Sequence, residues 1–227
     1  MKYSLEIHAA EGGEDSALFV KDLAYAYIKT FQRLCWIHHI ALEISGKFHI
    51  VVTGDNLTQL LQAAGGYRLQ RVPPTERKGR VHTSTVTVAV IDTDQYKTTN
   101  YSFIEPKDLK IEWYSGTGCG GQYRNKHQNS CRLTHIETGV MRTAQCRSRE
   151  SSYKNALEEL IRGLQETANS QNSKSLSIDR KNQRGSGMRG DKEFTFRFQD
   201  NIAMNHKNGD KHRLDKIMKG YLDILWN

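Results

Sequence analysis

The sequence predicts an α+β chain organised in two parts. Alternation of apolar and polar residues predicts short strands at residues 3–8, 38–45, 47–53 and 80–91. Between the first two, Glu14 and Asp15 open a stretch whose apolar side chains recur at helical spacing, and the expected helix ends near Cys35. A second unit is expected from Leu109, where a strand leads into a glycine-rich loop.

The second unit and the C-terminal part also have recognisable elements. Strands are expected at residues 111–114, 131–136, 139–146 and 194–198. Helices are expected at 56–63, from a cap at Ser151 or Ser152 onward, and around 213–225. Residues 94–107 have a loop-like composition, and residues 168–192 are polar enough to predict a frayed helix end followed by a linker.

Composition indicates a basic protein that remains outside membranes. The 227 residues carry 33 Lys and Arg against 25 Asp and Glu, a formal net charge of +8. This excess favours a polyanionic partner, either a nucleic acid or an anionic membrane surface. No run of about 18 apolar residues could span a bilayer, and no apolar leader is visible at the N-terminus. With four unpaired-looking cysteines, these features predict a reduced, cytoplasmic protein.

A loop at residues 116–121 contains four glycines in six residues and leads into Gln122. Adjacent glycines such as Gly120 and Gly121 let a backbone approach a reacting centre closely. The next N–H can then be directed at developing negative charge. A flexible surface loop is the alternative. The sequence does not fit the P-loop pattern. The glycine spacing of a dinucleotide-binding loop is present, but no acidic residue follows at about 20 residues in a βαβ context, as that fold requires.

The surroundings of this loop are basic, which suits an RNA backbone. The cations that we consider as contacts for RNA are Arg124, Lys126, Arg132, Arg147 and Arg149. A zinc site is an alternative for the nearby cysteines and histidines at 119, 127, 131, 135 and 146, but no paired ligand spacing occurs among them. The sequence therefore predicts no metal and no other cofactor.

Beyond the Gly120-Gly121-Gln122 tripeptide (GGQ), residues 117–122 (TGCGGQ) and 132–139 (RLTHIETG) resemble the catalytic domain of bacterial-type class I peptide chain release factors. The resemblance extends to residues 9–19 (AAEGGEDSALF), 66–76 (GYRLQRVPPTE) and 79–84 (GRVHTS), in the family's order. It implies a two-part release-factor architecture, with a codon-recognition α/β superdomain and a small α+β GGQ domain. Expected bounds are 1–106, 107–170, a basic linker or helix extension at 171–192, and a C-terminal strand-helix segment at 193–227 packing on the codon-recognition domain.

The resemblance implies that the protein recognises the stop codons UAA and UAG, because Pro73-Pro74-Thr75 is similar to the Pro-x-Thr tripeptide of that type. By motif position, Gly12 and Asp15 would face the first base, and Thr75 the first two. His82 would stack between the second and third bases. Gln70 and Thr83 would read the third base. Proline fixes a backbone, hydroxyls contact base edges, and aromatic rings stack on unpaired bases.

At the other end, the resemblance implies that Gly120, Gly121 and Gln122 promote hydrolysis of the peptidyl-tRNA ester, and that Gln122 is N5-methylated by a glutamine methyltransferase. The implied partners are the ribosome with its rRNA at the A site, an mRNA stop codon and P-site peptidyl-tRNA, bound by a monomer. Catalysis is shared with rRNA, so "translation factor" describes the protein better than "stand-alone enzyme".

Three features set this chain apart from the family pattern. It starts about where the family's N-terminal helical domain usually ends, so the resemblance does not extend to coupling with the release-factor GTPase. Asp15 stands where glutamate is usual. Cys119 lies inside the glycine-rich loop at residues 116–121, which together with Gln122 is here called the tip. The main alternative function is codon-independent rescue of stalled ribosomes by a GGQ factor. A generic RNA-binding protein without hydrolytic activity is the third hypothesis.

Overall fold

The computed structural model describes residues 1–96, 101 and 104–226, with only the backbone of Arg124. The strands are β1 (Lys2–Ala9), β2 (Ile37–Ile44), β3 (Lys47–Thr53), β4 (Gly65–Arg71), β5 (His82–Asp92), β6 (Leu109–Tyr114), β7 (Ser130–His135), β8 (Met141–Gln145), β9 (Phe194–Arg197), β10 (Ile202–Asn205) and β11 (Lys211–Arg213). The helices are α1 (Glu14–Arg33), α2 (Gln122–Lys126), α3 (Arg149–Arg184) and α4 (Leu214–Met218). Short 3-10 helices occupy Leu57–Ala63, Pro106–Asp108 and Leu222–Leu225.

These elements form two compact units, and the α+β class expected from the sequence is confirmed. The first unit contains residues 1–97 and 175–227, and the second contains residues 98–174. In the first unit, the described strands form one sheet in the order β11-β10-β9-β4-β5-β1-β3-β2. Its neighbours are antiparallel except for the parallel pair of β4 and β9. In the second unit, β6, β7 and β8 form an antiparallel sheet.

One face of the large sheet packs on α1. The helix forms because its apolar residues recur on one side, where Phe19, Leu23, Tyr27 and Phe31 are fully buried. Burying one such side chain contributes about 2 kcal/mol from the hydrophobic effect. The Tyr27 and Tyr67 hydroxyls share a hydrogen bond of 2.8 Å inside this core. The smaller unit has its own core, which includes Cys131, Leu133, Ala156 and Leu160.

Several predicted elements agree with the structure, including α1, the β2–β3 hairpin, β5, the β7–β8 hairpin and β9. The sequence did not predict β4, β10 or β11. The expected closing helix at 213–225 is two short pieces, interrupted at Gly220 with φ 108°. Part of the predicted loop at 94–107, at residues 97–100 and 102–103, lies outside the described residues.

The frayed helix end and linker expected from residue 168 do not occur as far as Arg184. Helix α3 continues to that residue, in agreement with the other expectation for residues 171–192, a helix extension. Its last turns are stabilised by tertiary contacts that a local pattern does not reveal. The Gln183 side chain bonds both the N–H and the C=O of Val90, at 2.6 and 2.8 Å. Arg180 and Arg184 both bind the Glu6 carboxylate at 2.6 Å. These contacts supply the helix stability that the polar composition of the segment does not provide.

The start of α3 also differs from the prediction. The helix begins at Arg149, and the Ser148 hydroxyl accepts the N–H of Ser151 at 3.1 Å, as a capping serine does. The predicted cap residue Ser152 is instead buried, where its hydroxyl accepts the N–H of Cys146 at 2.9 Å. Ser152 therefore joins the helix to β8 and does not begin it.

Candidate functional site

The loop between β1 and α1 is held against β5 at Gly12. Backbone hydrogen bonds join Ala10 N–H to Thr85 O at 3.0 Å and Thr85 N–H to Glu11 O at 2.6 Å. Gly12 has φ +126°, and a Cβ there would lie 2.4 Å from Ser84 Oγ. Only glycine fits this position without strain, because both the backbone angle and the close approach exclude a side chain. The loop therefore presents its backbone at the surface.

Asp15 lies in the first turn of α1, but its carboxylate faces the protein interior. Oδ1 accepts Arg71 Nε at 2.8 Å, and Oδ2 accepts the Ser84 hydroxyl at 2.8 Å. The residue is 3% exposed. The expectation that Asp15 faces a base is thereby corrected for its carboxylate, since both oxygens are engaged within the protein. The Asp15 carboxylate therefore joins α1 to the end of β4 and the start of β5.

The Pro73-Pro74-Thr75 segment forms a tight turn after β4. The N–H of Glu76 donates to Pro73 O at 3.0 Å, which places Pro74 and Thr75 at the two central positions. Proline is favoured at the first of these because its φ is already correct. Pro73 is buried, whereas Pro74 and Thr75 are exposed. The turn thus presents the threonine hydroxyl to solvent on a rigid base.

The Glu76 carboxylate holds the loop between this turn and β5. It accepts the N–H of Lys78 at 2.7 Å, the guanidinium of Arg80 at 2.9 Å and His82 Nε2 at 2.8 Å. The Lys78 N–H, then Arg80 and His82, lower the pKa of Glu76 to about 2. A charged carboxylate at this point therefore links the turn to His82. Sequence reasoning missed Glu76, although it lies inside the quoted motif.

The strand register distributes the candidate codon-reading side chains over two faces. His82 is opposite Arg71, and Thr83 is opposite Gln70, in the β4–β5 ladder. Because successive side chains point to opposite faces, His82 lies on one side of the sheet and the Gln70–Thr83 pair on the other. Gln70 and Thr83, which the resemblance assigns to one base, are therefore direct cross-strand neighbours. That role stays a prediction.

An open cleft of about 580 Å³ lies between the β1–α1 loop, at Gly12 and Gly13, and the start of β5. Its lining residues are Gly12, Gly13, Val81, His82, Thr83, Ser84 and Arg189. The cleft thus brings together three of the expected codon-reading residues. Arg189 was not predicted; its N–H donates to Glu11 Oε2 at 3.1 Å, and its side chain forms an ion pair with the same oxygen at 3.4 Å.

The glycine-rich loop of the second unit ends where α2 begins. Gly121 precedes the helix in an extended conformation, and Gln122 is its first residue. Both are exposed. A helix leaves the N–H groups of its first turn without intrahelical acceptors, so the Gln122 N–H is available for an external oxygen. The loop base is braced by Thr117, which exchanges two hydrogen bonds with the Gln145 side chain at 3.2 and 3.0 Å.

The five cations predicted near this loop have different environments. Lys126 and Arg147 are exposed. Arg149 donates to Gln128 O at 2.9 Å, while Arg132 forms an ion pair with Glu112 at 3.5 Å. The side chain of Arg124 lies outside the described residues. Exposure leaves Lys126 and Arg147 available for RNA, and the other two described cations already contact the protein.

A cavity of about 300 Å³ lies behind the tip. The rings of Tyr123 and His127 pack at 4.1 Å between centroids and line it, together with Arg147.

His135 is buried in β7, where its Nδ1 is 2.9 Å from the Thr138 hydroxyl, so it closes the β7–β8 turn. Among the described residues, no three His, Cys, Asp or Glu side chains form a group that could hold a metal. No helix among the residues that the structure describes is both long and apolar enough to cross a membrane.

Comparison with known proteins agrees with this arrangement of motifs. The PCRF domain model matches residues 1–88, and the RF-1 domain model matches residues 68–207. The chain belongs to the peptide chain release factor family, as the sequence predicted.

Among its relatives, peptide chain release factor 1 of Thermotoga maritima is 37% identical over 99% of this chain and 67% of its own length. Peptide chain release factor 1 of Lactobacillus acidophilus is 35% identical over 97% of this chain and 63% of its own. A solved structure, RF2 of Thermus thermophilus, matches with a TM-score of 0.55 and 24% identity over 99% of this chain and 66% of that one, which supports the fold. The chain therefore spans about two thirds of the length of these relatives.

Proposed function

We propose that this protein acts in translation termination, recognising UAA and UAG in the ribosomal A site and promoting hydrolysis of the peptidyl-tRNA ester. The observation that carries the proposal is the cleft of the first unit, where Gly12, His82 and Thr83 meet although Gly12 and His82 are far apart in the sequence. The similarity to proteins named peptide chain release factor 1 supports the same activity.

In this proposal the first unit is the codon-recognition domain and the second is the GGQ domain. The Thr75 hydroxyl, exposed on its rigid turn, reads base edges, and the His82 ring stacks on an unpaired base. Gln70 and Thr83 together read the third base. Arg147 and Lys126 contact RNA phosphates near the tip. The partners are the ribosome, the mRNA and the P-site tRNA.

At the tip, the Gln122 N–H donates to the oxygen that gains negative charge as the ester is cleaved, and water is the nucleophile. Its side-chain amide orients that water without acting as a base. Exposure at the start of α2 makes the Gln122 side chain accessible to a glutamine methyltransferase. Mass spectrometry of the protein, isolated from cells with and without the methyltransferase, tests this modification.

A release assay on ribosomes programmed with UAA, UAG, UGA, a sense codon or an empty A site tests the function. We expect rapid release on UAA and UAG alone. Equal release on sense codons or empty sites would contradict codon recognition and support ribosome rescue. Complete inactivity on all five would contradict release-factor activity.

Gln122→Pro and Gln122→Ala form a matched pair for the tip. Proline is tolerated at the first position of a helix, so Gln122→Pro removes the N–H while preserving α2. Gln122→Ala keeps the N–H. We expect release to fall about 100-fold or more for proline and much less for alanine. Full activity of the proline variant would exclude the proposed N–H donor.

A further inference from the structure

A cationic cluster lies beside the Gln70–Thr83 pair, on the same face of the sheet. Its residues are Arg68, Thr85, Lys192, Thr195, Arg197 and His206, here called the Arg68 cluster. In the strand register, Arg68 is opposite both Thr85 on β5 and Thr195 on β9, while Arg197 is opposite Gln70. The cluster therefore continues the row of side chains that contains the candidate third-base readers.

Two polar atoms in the cluster are buried without a hydrogen-bond partner among the described residues. They are Arg68 Nε and the hydroxyl of Thr85, which is 0% exposed. Because leaving a buried polar group without a partner is energetically unfavourable, such atoms point to a missing ligand. The two residues are cross-strand neighbours, so one oxygen-bearing group can approach both.

Positive charge in the cluster is incompletely neutralised. Among the described residues, Arg68 and Lys192 form no ion pair, and the contact from Arg197 to Asp200 is long, at 3.8 Å. The nearby Glu193 carboxylate is already bound by Lys207 at 3.1 Å. Burial, followed by the charge of Arg197, lowers the pKa of Arg68. Partial desolvation and the cations Lys192, Arg68 and Arg197 lower the pKa of His206.

The histidine already has a neutral partner in the cluster. His206 Nε2 is 2.7 Å from the Thr195 hydroxyl, an arrangement that a neutral imidazole satisfies. The ligand charge would therefore be balanced by the two guanidinium groups and the Lys192 ammonium. Guanidinium groups match phosphate oxygens in geometry, and they bind them through paired N–H donors.

We propose that the Arg68 cluster binds a backbone phosphate of the mRNA next to the third base of the stop codon, with Arg68 and Arg197 as the phosphate ligands. This inference rests on the proposed function for the identity of the RNA. Such a contact positions the strand while the neighbouring Gln70–Thr83 pair reads its base. It adds affinity for every codon, and discrimination between codons stays with the base readers.

The test compares Arg68→Gln and Arg197→Gln with Arg213→Gln, which also removes one cation but lies on β11 outside the cluster. On ribosomes carrying UAA, we expect the half-saturating concentration to rise about tenfold for either cluster variant, with the maximal release rate unchanged. The salt dependence of binding should weaken by the equivalent of one phosphate contact. Arg213→Gln should match the wild type, and thermal unfolding confirms that each variant is folded.

A second arm places a single uncharged methylphosphonate at each linkage flanking the stop codon. One linkage should weaken binding of the wild type about tenfold and affect Arg68→Gln less, because only the Arg197 contact remains in that variant. If the variants bind like the wild type, the phosphate site is excluded. If they bind weakly but respond to every linkage like the wild type, the phosphate belongs to another RNA and the mRNA assignment is wrong.

If the wild type shows no release on any ribosome, the proposed function fails while the cluster remains testable. The isolated, ¹⁵N-labelled protein is then titrated with a UAA-containing hexanucleotide and, separately, with inorganic phosphate. The proposal expects the Nε–H signals of Arg68 and Arg197 to shift with the oligonucleotide at lower concentration than with phosphate. No shift excludes a phosphate site, and equal responses contradict an RNA-specific one.

Discussion

The imidazole Nε2 of His82 lies 2.8 Å from Oε2 of Glu76, the carboxylate that also holds the Lys78 N–H and the Arg80 guanidinium. One charged group thus sets the shape of the loop that separates the Thr75 turn from His82. The ring nitrogen that contacts Glu76 donates its proton, so the carboxylate also fixes the orientation of the ring. His82 is 44% exposed in its side chain, which leaves the ring available for stacking.

Glu76→Gln should weaken codon binding without affecting hydrolysis. The amide loses the charge that attracts Arg80 and His82, so we expect the half-saturating concentration on UAA ribosomes to rise about tenfold. The maximal release rate should stay the same, because the tip of the second unit is unchanged. Glu137→Gln, an exposed carboxylate in the β7–β8 turn, is the control. Unchanged binding of the Glu76 variant would show that the ring is held by other means.

The loop should also loosen in acid. The Lys78 N–H, Arg80 and His82 lower the pKa of Glu76 from the ordinary 4.5 to about 2. A depressed folded pKa contributes stability above the unfolded value, and this is lost as pH falls through the folded one. Between pH 4.5 and 2, hydrogen exchange of the Lys78 amide should accelerate relative to α1 amides. Glu76→Gln should lack this local pH dependence; an identical profile would contradict the assignment.

Asp15→Asn should destabilise the first unit far more than Asp22→Asn. Both carboxylates bind Arg71, but Asp15 is buried and the Asp22 side chain is 48% exposed. We expect a loss of about 3 kcal/mol in the free energy of unfolding for Asp15→Asn. The loss for Asp22→Asn should be below about 1 kcal/mol. Denaturant unfolding measures both, and equal effects would disprove the inward role of Asp15.

Two glycine substitutions should separate folding from function. Gly121→Ala meets no atom within 4 Å, so its stability should change by less than about 1 kcal/mol, while release falls about 100-fold or more. Gly12→Ala should lose about 2 kcal/mol because its φ is positive and its Cβ clashes with Ser84. Thermal unfolding and release assays test both. A fully active Gly121 variant would contradict close approach at the tip.

Glu6→Gln should detach the end of α3. Burial alone raises the pKa of Glu6, but bonds from His8 and Arg180 and the charges of Arg180 and Arg184 hold it at about 2. The variant leaves two half-buried cations without this partner, so we expect a loss of about 2 kcal/mol. Glu43→Gln, which removes an exposed pair with Lys21, should lose less than about 1 kcal/mol. Retained stability of the Glu6 variant would show that the hydrogen bonds from Gln183 to Val90 and from the Tyr96 hydroxyl to Asp179 hold the end of α3 without Glu6.

Local patterns in the sequence determined α1, the hairpins and the composition of the tip, since each depends on neighbouring residues. The ordered motifs also identified the family and most candidate codon readers. They did not reveal that the Asp15 carboxylate faces inward, because its partners Arg71 and Ser84 are 56 and 69 residues away. Glu76 could have been found from its place in the quoted motif.

Only the tertiary structure placed β9 parallel to β4, and with it Arg197 next to Gln70 and the Thr195 hydroxyl next to Arg68. It likewise extended α3 through a segment whose composition predicts a linker, by pairing Arg180 and Arg184 with Glu6. Such pairings join segments more than a hundred residues apart, and their energy comes from burial and charge at the contact. A sequence read along its length therefore carries the elements, while their lateral order, and the Arg68 cluster that depends on it, appear only when the chain is folded.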